Sequence, residues 1–165
     1  MMRIVGIAII AFSGFLLGFL YYIKIKQRPL ELEMFLNLID KYLTELKWDR
    51  KSLKEVINEF NYPKFNDYIN EVRVLLKDND YVYAFVDGNK YFNNMHLLNE
   101  EIIVIRNLFE TTGQTGYDLE INICEKTRQK IADLKQQAEN SFKKSGALIL
   151  KLSIIICIWI FILLI

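Results

Sequence analysis

Residues 29–46, PLELEMFLNLIDKYLTEL, carry one apolar face at helical spacing. Leu32, Phe35, Leu38, Ile39, Tyr42 and Leu46 recur every three or four positions, the repeat of a helix rather than a strand. Pro29 and Glu31 suit a first turn, where proline has no N–H bond to lose and an acid complements the helix dipole. The same period returns further along. Ser52 and Glu55 have capping-box spacing and start a short helix through Val56, Ile57 and Phe60. Pro63 can open the next, with Phe65, Tyr68, Ile69, Val72, Leu75 and Leu76. Leu97, Leu98, Ile102, Ile105, Leu108 and Phe109 form another stripe. The last carries Leu119, Ile123, Ile131, Leu134, Ala138 and Phe142, with no proline or glycine before Gly146. It is expected to run straight into the membrane helix that follows as one long rod. Only residues 81–86, YVYAFV, followed by Asp87-Gly88, look locally like a hairpin strand. An isolated two-stranded hairpin is marginal in water and no third strand is on offer. A helix from about Asp80, broken near Gly88, is therefore expected. The fold class is all-α, an antiparallel helical bundle.

Both flanks of this bundle are apolar. Residues 4–23 read IVGIAIIAFSGFLLGFLYYI, without a charge, and residues 147–165 read ALILKLSIIICIWIFILLI, with Lys151 alone. At about 1.5 Å per residue, twenty residues cross a hydrocarbon core of about 30 Å, and nineteen reach about 28 Å. Lys151 can snorkel, and Tyr21 and Tyr22 stand where interface aromatics do. Gly14 and Gly18 have the small-xxx-small spacing that permits close helix contact. The first run is too long for a signal-peptide core and has no A-x-A-like cleavage site. Transmembrane helices are expected over residues 1–23 and 147–165, with a helical domain over residues 24–146 between them. Lys24, Lys26 and Arg28 follow the first run, and Arg128, Lys130, Lys135, Lys143 and Lys144 precede the second. Positive-inside bias places the middle domain in the cytoplasm and both termini outside.

Charge and cysteine content exclude several function classes. Setting aside Arg3 and Lys151 leaves 19 basic against 20 acidic residues in the middle domain, with no basic stripe for nucleic acid. Cys124 and Cys157 fall in different parts of the chain, so neither a disulfide nor a metal cage is expected. The single His96 is read as a helix-surface or half-buried residue. No phosphate loop, H-E-x-x-H, G-x-S-x-G or C-x-x-C occurs. Glu31/Glu33 and Glu100/Glu101 are read as solvated helix faces. No catalytic, cofactor or metal site is assigned, and action by contact is the expectation.

The stretch TTGQTGYD, residues 111–118, stands between the last two stripes. Gly113 can take the left-handed conformation that ends a helix, and Gly116 offers a second permissive position. Asp118 can cap the next helix. The bland reading is a tight turn; the sharper one adds a docking surface for a partner. Gly116→Val is expected to disturb the turn and impair function.

Residues 109–118, FETTGQTGYD, resemble the F-G-x-x-L-G-x-x-D signature of the stage III sporulation protein AB family. Gly113, Gly116 and Asp118 supply two glycines and the acid. Thr115 stands where a leucine is expected, and Asn122 where glutamine is common. Arg28-Pro29 resembles the pair that opens the family's soluble domain, and Ser52-Leu53-Lys54-Glu55 its entry to the second helix. The long last helix, Gly146 and a C-terminal span also match. The resemblance implies a non-enzymatic platform or adaptor in the channel complex linking mother cell and forespore, with a domain similar to those of type II secretion F proteins. It implies docking of a secretion-type ATPase like stage III sporulation protein AA, contact with other channel-complex membrane proteins, and a place in the mother-cell outer forespore membrane. Self-association is a further possibility. Competing readings are a reduced secretion or pilus platform, a membrane-bound enzyme, and a membrane-anchored regulator of a cytoplasmic partner.

Overall fold

The computed structural model describes residues 2–164, with side chains except at residues 2–5, 7–11, 147, 150, 160, 161, 163 and 164. Six α-helices follow in order: α1 (Met2–Asp49), α2 (Leu53–Glu59), α3 (Asn66–Leu75), α4 (Asn99–Thr111), α5 (Tyr117–Ser141) and α6 (Ala147–Leu164). Single 3-10 turns lie at Pro63–Phe65 and Phe92–Asn94, and π turns at Tyr83–Asp87 and Phe142–Gly146. No strand occurs among the described residues, so the all-α expectation holds.

The first helix corrects one expectation. Pro29 does not start a helix; it lies inside α1, which runs for 48 residues. Proline cannot bond the carbonyl one turn back, yet α1 continues on both sides of it. The chain divides into two compact units at this point, residues 30–135 forming one and residues 1–29 with 136–165 the other.

The larger unit is built on the α1 stripe. Leu32, Phe35, Leu38, Ile39, Tyr42 and Leu46 are all buried. Phe35 meets Tyr68 of α3 and Phe92 edge-on, at 5.9 and 6.3 Å between ring centroids. Ser52 caps α2 as expected: its N–H donates to Glu55 Oε2 at 2.7 Å and the Glu55 N–H returns to Ser52 Oγ at 3.4 Å. Arg73 of α3 caps the other end, donating to the carbonyls of Ile57 (3.0 Å) and Phe60 (2.5 Å).

Residues 81–86 are helical, as expected despite their β-forming composition. Ala84, Phe85 and Val86 are all buried, and a strand would turn alternate residues outward. Phe85 stacks on Phe109 of α4 at 3.9 Å. Fully buried Asn89 closes the segment, donating to the carbonyls of Tyr68 and Ala84 and accepting from the Tyr91 N–H at 3.0 Å.

In α5, the inward row of the larger unit is Glu120, Cys124, Ile131 and Leu134. Leu119, expected on that face, is 54% exposed. The helix is rotated so that an acid, not the leucine, faces inward.

The smaller unit pairs the start of α1 with α6. A Cβ added to Gly18 would lie 1.8 Å from Ser153 Oγ and 2.7 Å from its Cβ, so glycine is needed for this approach. Gly14, expected to share the contact, has no described atom within 4 Å of where its Cβ would stand. Beside the π turn, Tyr22 and Phe142 rings lie 5.8 Å apart, and a Cβ on Gly146 would meet the Phe142 ring at 2.9 Å. Among the described residues no helix is long and apolar enough to cross a membrane. The spans expected over residues 1–23 and 147–165 fall partly outside the described residues.

Candidate functional site

The α4–α5 connection is the site singled out by sequence, and its two glycines differ. Thr111 and Thr112 end α4 by turning their hydroxyls back onto it, Thr112 Oγ1 donating to the Leu108 carbonyl at 2.8 Å. Gly113 follows at φ +76°, the left-handed cap expected of it. Gly116 does not adopt such a φ, and a Cβ there would meet nothing within 4 Å. Its carbonyl accepts the Glu120 N–H at 2.9 Å and so begins α5. The second permissive backbone position is therefore not needed, and the backbone reason behind the Gly116→Val expectation falls away: φ is ordinary and an added Cβ meets nothing within 4 Å.

Asp118 lies in the first turn of α5, where its charge complements the dipole, and is exposed. Asn122 stands one turn further on, also exposed. The structure thus gathers Gly113, Gly116, Asp118 and Asn122 along one short stretch. Arg28 and Pro29 belong to the other unit.

A residue that sequence reasoning missed holds this turn from behind. Glu120 is only 8% exposed. Its Oε1 accepts from Tyr42 Oη of α1 at 2.5 Å and from the Gly113 N–H at 3.0 Å. Burial, then the bond to Glu120, pushes the Tyr42 hydroxyl far above its usual range, so it stays a donor. Cys124, one turn along, is buried, and desolvation with Glu120 nearby raises its thiol to about 12, leaving it unreactive. The Tyr81 ring lies 3.6 Å from where a Gly113 Cβ would be.

The same end of the bundle displays aromatic and cationic groups. Tyr117 Oη donates to the Lys47 carbonyl at 3.2 Å. Arg50, itself at φ 53°, places its guanidinium 5.0 Å above the Tyr117 ring. Trp48 is 83% exposed. It borders a groove of about 470 Å³ between α1 and α5, flanked by the ion pairs Asp40–Arg128 and Lys47–Glu125.

A second polar cluster lies elsewhere in the same unit. Glu31 and Glu101 are buried, contrary to the solvated faces expected of them. Glu31 accepts from the His96 N–H at 2.7 Å and meets His96 Nδ1 at 3.0 Å. Glu101 reaches back to the Leu98 N–H at 2.7 Å, at the start of α4. These carboxylates hold the non-helical segment before α4, where half-buried His96 lies. Desolvation raises the Glu31 pKa despite the opposing bonds from His96. Among the described residues no group of three or more His, Cys, Asp or Glu could hold a metal ion.

Compared with known protein families, the chain matches the one described as stage III sporulation protein AB, over residues 3–165. No curated protein and no solved structure matches it.

Proposed function

The chain belongs to the stage III sporulation protein AB family, which gives it a role in sporulation, and from that premise we propose a membrane-held adaptor that works by contact. Its unit of residues 30–135 faces the mother-cell cytoplasm and docks a secretion-type ATPase. Its α1 and α6 ends sit in the outer forespore membrane beside other components of the channel complex.

The observation that carries the docking part is the 113–116 turn. Gly113 is locked in a left-handed cap, bonded from behind by a buried acid, and followed by exposed Gln114, Gly116 and Asp118. A turn held from inside and free outside offers a partner a preformed surface, which lowers the ordering cost of binding. Neighbouring Trp48, Arg50 and Tyr117 are of the types that dominate interface energetics.

Membrane placement is supported by the smaller unit. Leu16, Leu17, Phe19 and Leu20 of α1 and Ile154, Ile155, Ile156 and Ile158 of α6 are all exposed. Consecutive positions point in several directions around a helix, so this is an apolar sleeve rather than one patch. Water-facing surfaces rarely carry continuous apolar patches beyond a few hundred Å², whereas lipid solvates them. Lys143 and Lys144 in the π turn precede α6, on the side assigned to the cytoplasm.

The test is binding between the full chain in lipid nanodiscs and the cognate ATPase of the same organism, followed by calorimetry to about 100 μM. Saturable binding supports the adaptor; its absence leaves the anchored chain without this partner.

A further inference from the structure

Glu120 occupies a position that an apolar residue would fill at lower cost. The other inward residues of α5 in the larger unit, Cys124, Ile131 and Leu134, are apolar. A carboxylate taken out of water is tolerated only where bonded donors replace its hydration. Here the two donors come from different places: the Tyr42 hydroxyl at 2.5 Å from α1, and the Gly113 N–H at 3.0 Å from the turn. The second bond reaches a residue that already needs the left-handed conformation, at φ +76°. The Tyr81 ring closes the other side, 3.6 Å from the place a Cβ would take. A left-handed glycine gives up more backbone freedom than any other residue when fixed, so a loop left to itself would sample several conformations. The acid, phenol and ring confine it to one.

We propose that Glu120 is the positioning residue of the docking turn: its buried carboxylate, steadied by Tyr42, fixes Gly113 and thereby presents residues 114–118 in a single conformation to the partner. This rests on the docking role proposed above. Glu120 itself does not touch the partner. Its effect on affinity passes through the Gly113 backbone, and Tyr42 shares it.

The test uses the full chain in nanodiscs, labelled with ¹⁵N-glycine, which gives at most seven glycine amide signals. The Gly113 signal is assigned by its disappearance in Gly113→Ala. Glu120→Ala should move that signal upfield, speed its exchange with solvent, and weaken ATPase binding at least tenfold. Glu120→Gln keeps an oxygen acceptor without the charge and should do the same to a smaller degree. It also serves if the alanine variant does not fold. Tyr42→Phe should shift the Gly113 signal with helix content unchanged, and Leu119→Ala, on the exposed face, should move neither signal nor affinity. An unmoved Gly113 signal in folded Glu120 variants overturns the proposal. So does a moved signal with ATPase affinity equal to that of the wild type. A wild type that never binds the ATPase overturns the docking role instead, while the glycine spectra still report whether the clamp exists.

Discussion

At Gly113, φ +76° would bring a Cβ too close to the following carbonyl oxygen, at a cost of about 1–2 kcal/mol. Gly113→Ala is expected to lose that much in chemical denaturation. Gly116→Ala, with ordinary φ and open space, should stay within about 0.5 kcal/mol of the wild type, as exposed sites usually do. Equal losses at the two positions would contradict the assignment. Glu31 makes a pH prediction. Its pKa is raised by burial from the ordinary 4.5, so the folded state favours the protonated form more than the unfolded chain does. The stability this contributes is full below the ordinary value and is lost as pH rises through the raised one. Thermal melting of wild type and Glu31→Gln from pH 4 upward should therefore show the wild type losing ground relative to the variant as pH rises. A difference that is flat or grows with pH would oppose this. These carboxylates were not legible in the sequence. Periodicity sorts residues by type, and Glu31 and Glu120 are buried because of partners 65 and 78 residues away. The left-handed glycine was legible, since a glycine after a helix stripe is a local signal.

Helix starts and caps were read more easily than helix continuity. The Ser52 capping box is a four-residue pattern and appears as expected. Ser52→Ala should cost about 1 kcal/mol in equilibrium denaturation; no measurable loss would show that water replaces the cap. Pro29 misled because proline is favoured in first turns, yet a helix can pass through it when its neighbours hold the line. Leu119 misled because apolar residues on both sides of an acid leave the rotation of α5 open; the bonds to Glu120 decide it. In the smaller unit, a spacing of four offered two glycines for close contact, and one makes it. Gly18→Leu would drive its side chain into Ser153, costing about 1–3 kcal/mol as overpacking does. At Gly14 an added Cβ meets no described atom within 4 Å, and Gly14→Leu should be tolerated. Melting of the two variants in detergent micelles checks the pair, and the reverse order would refute the assigned contact.

On the scale of the whole molecule, the helical class and the burial of the α1 stripe followed from apolar spacing alone. The 81–86 segment shows why local propensity lost: its last three residues are all buried, with Phe85 packed on Phe109. The identity of a partner is a different kind of fact. It depends on a complementary surface on another molecule, which neither spacing nor packing encodes, and here it is proposed from family membership joined to a preorganised turn. The most direct test is photocrosslinking in sporulating cells, with the photoreactive residue at exposed Gln114 or, as a control, at Val74, which is 62% exposed on α3. The adaptor account predicts a covalent adduct with the secretion-type ATPase from position 114 and none from position 74. No ATPase adduct from 114, or equal adducts from both, would contradict it.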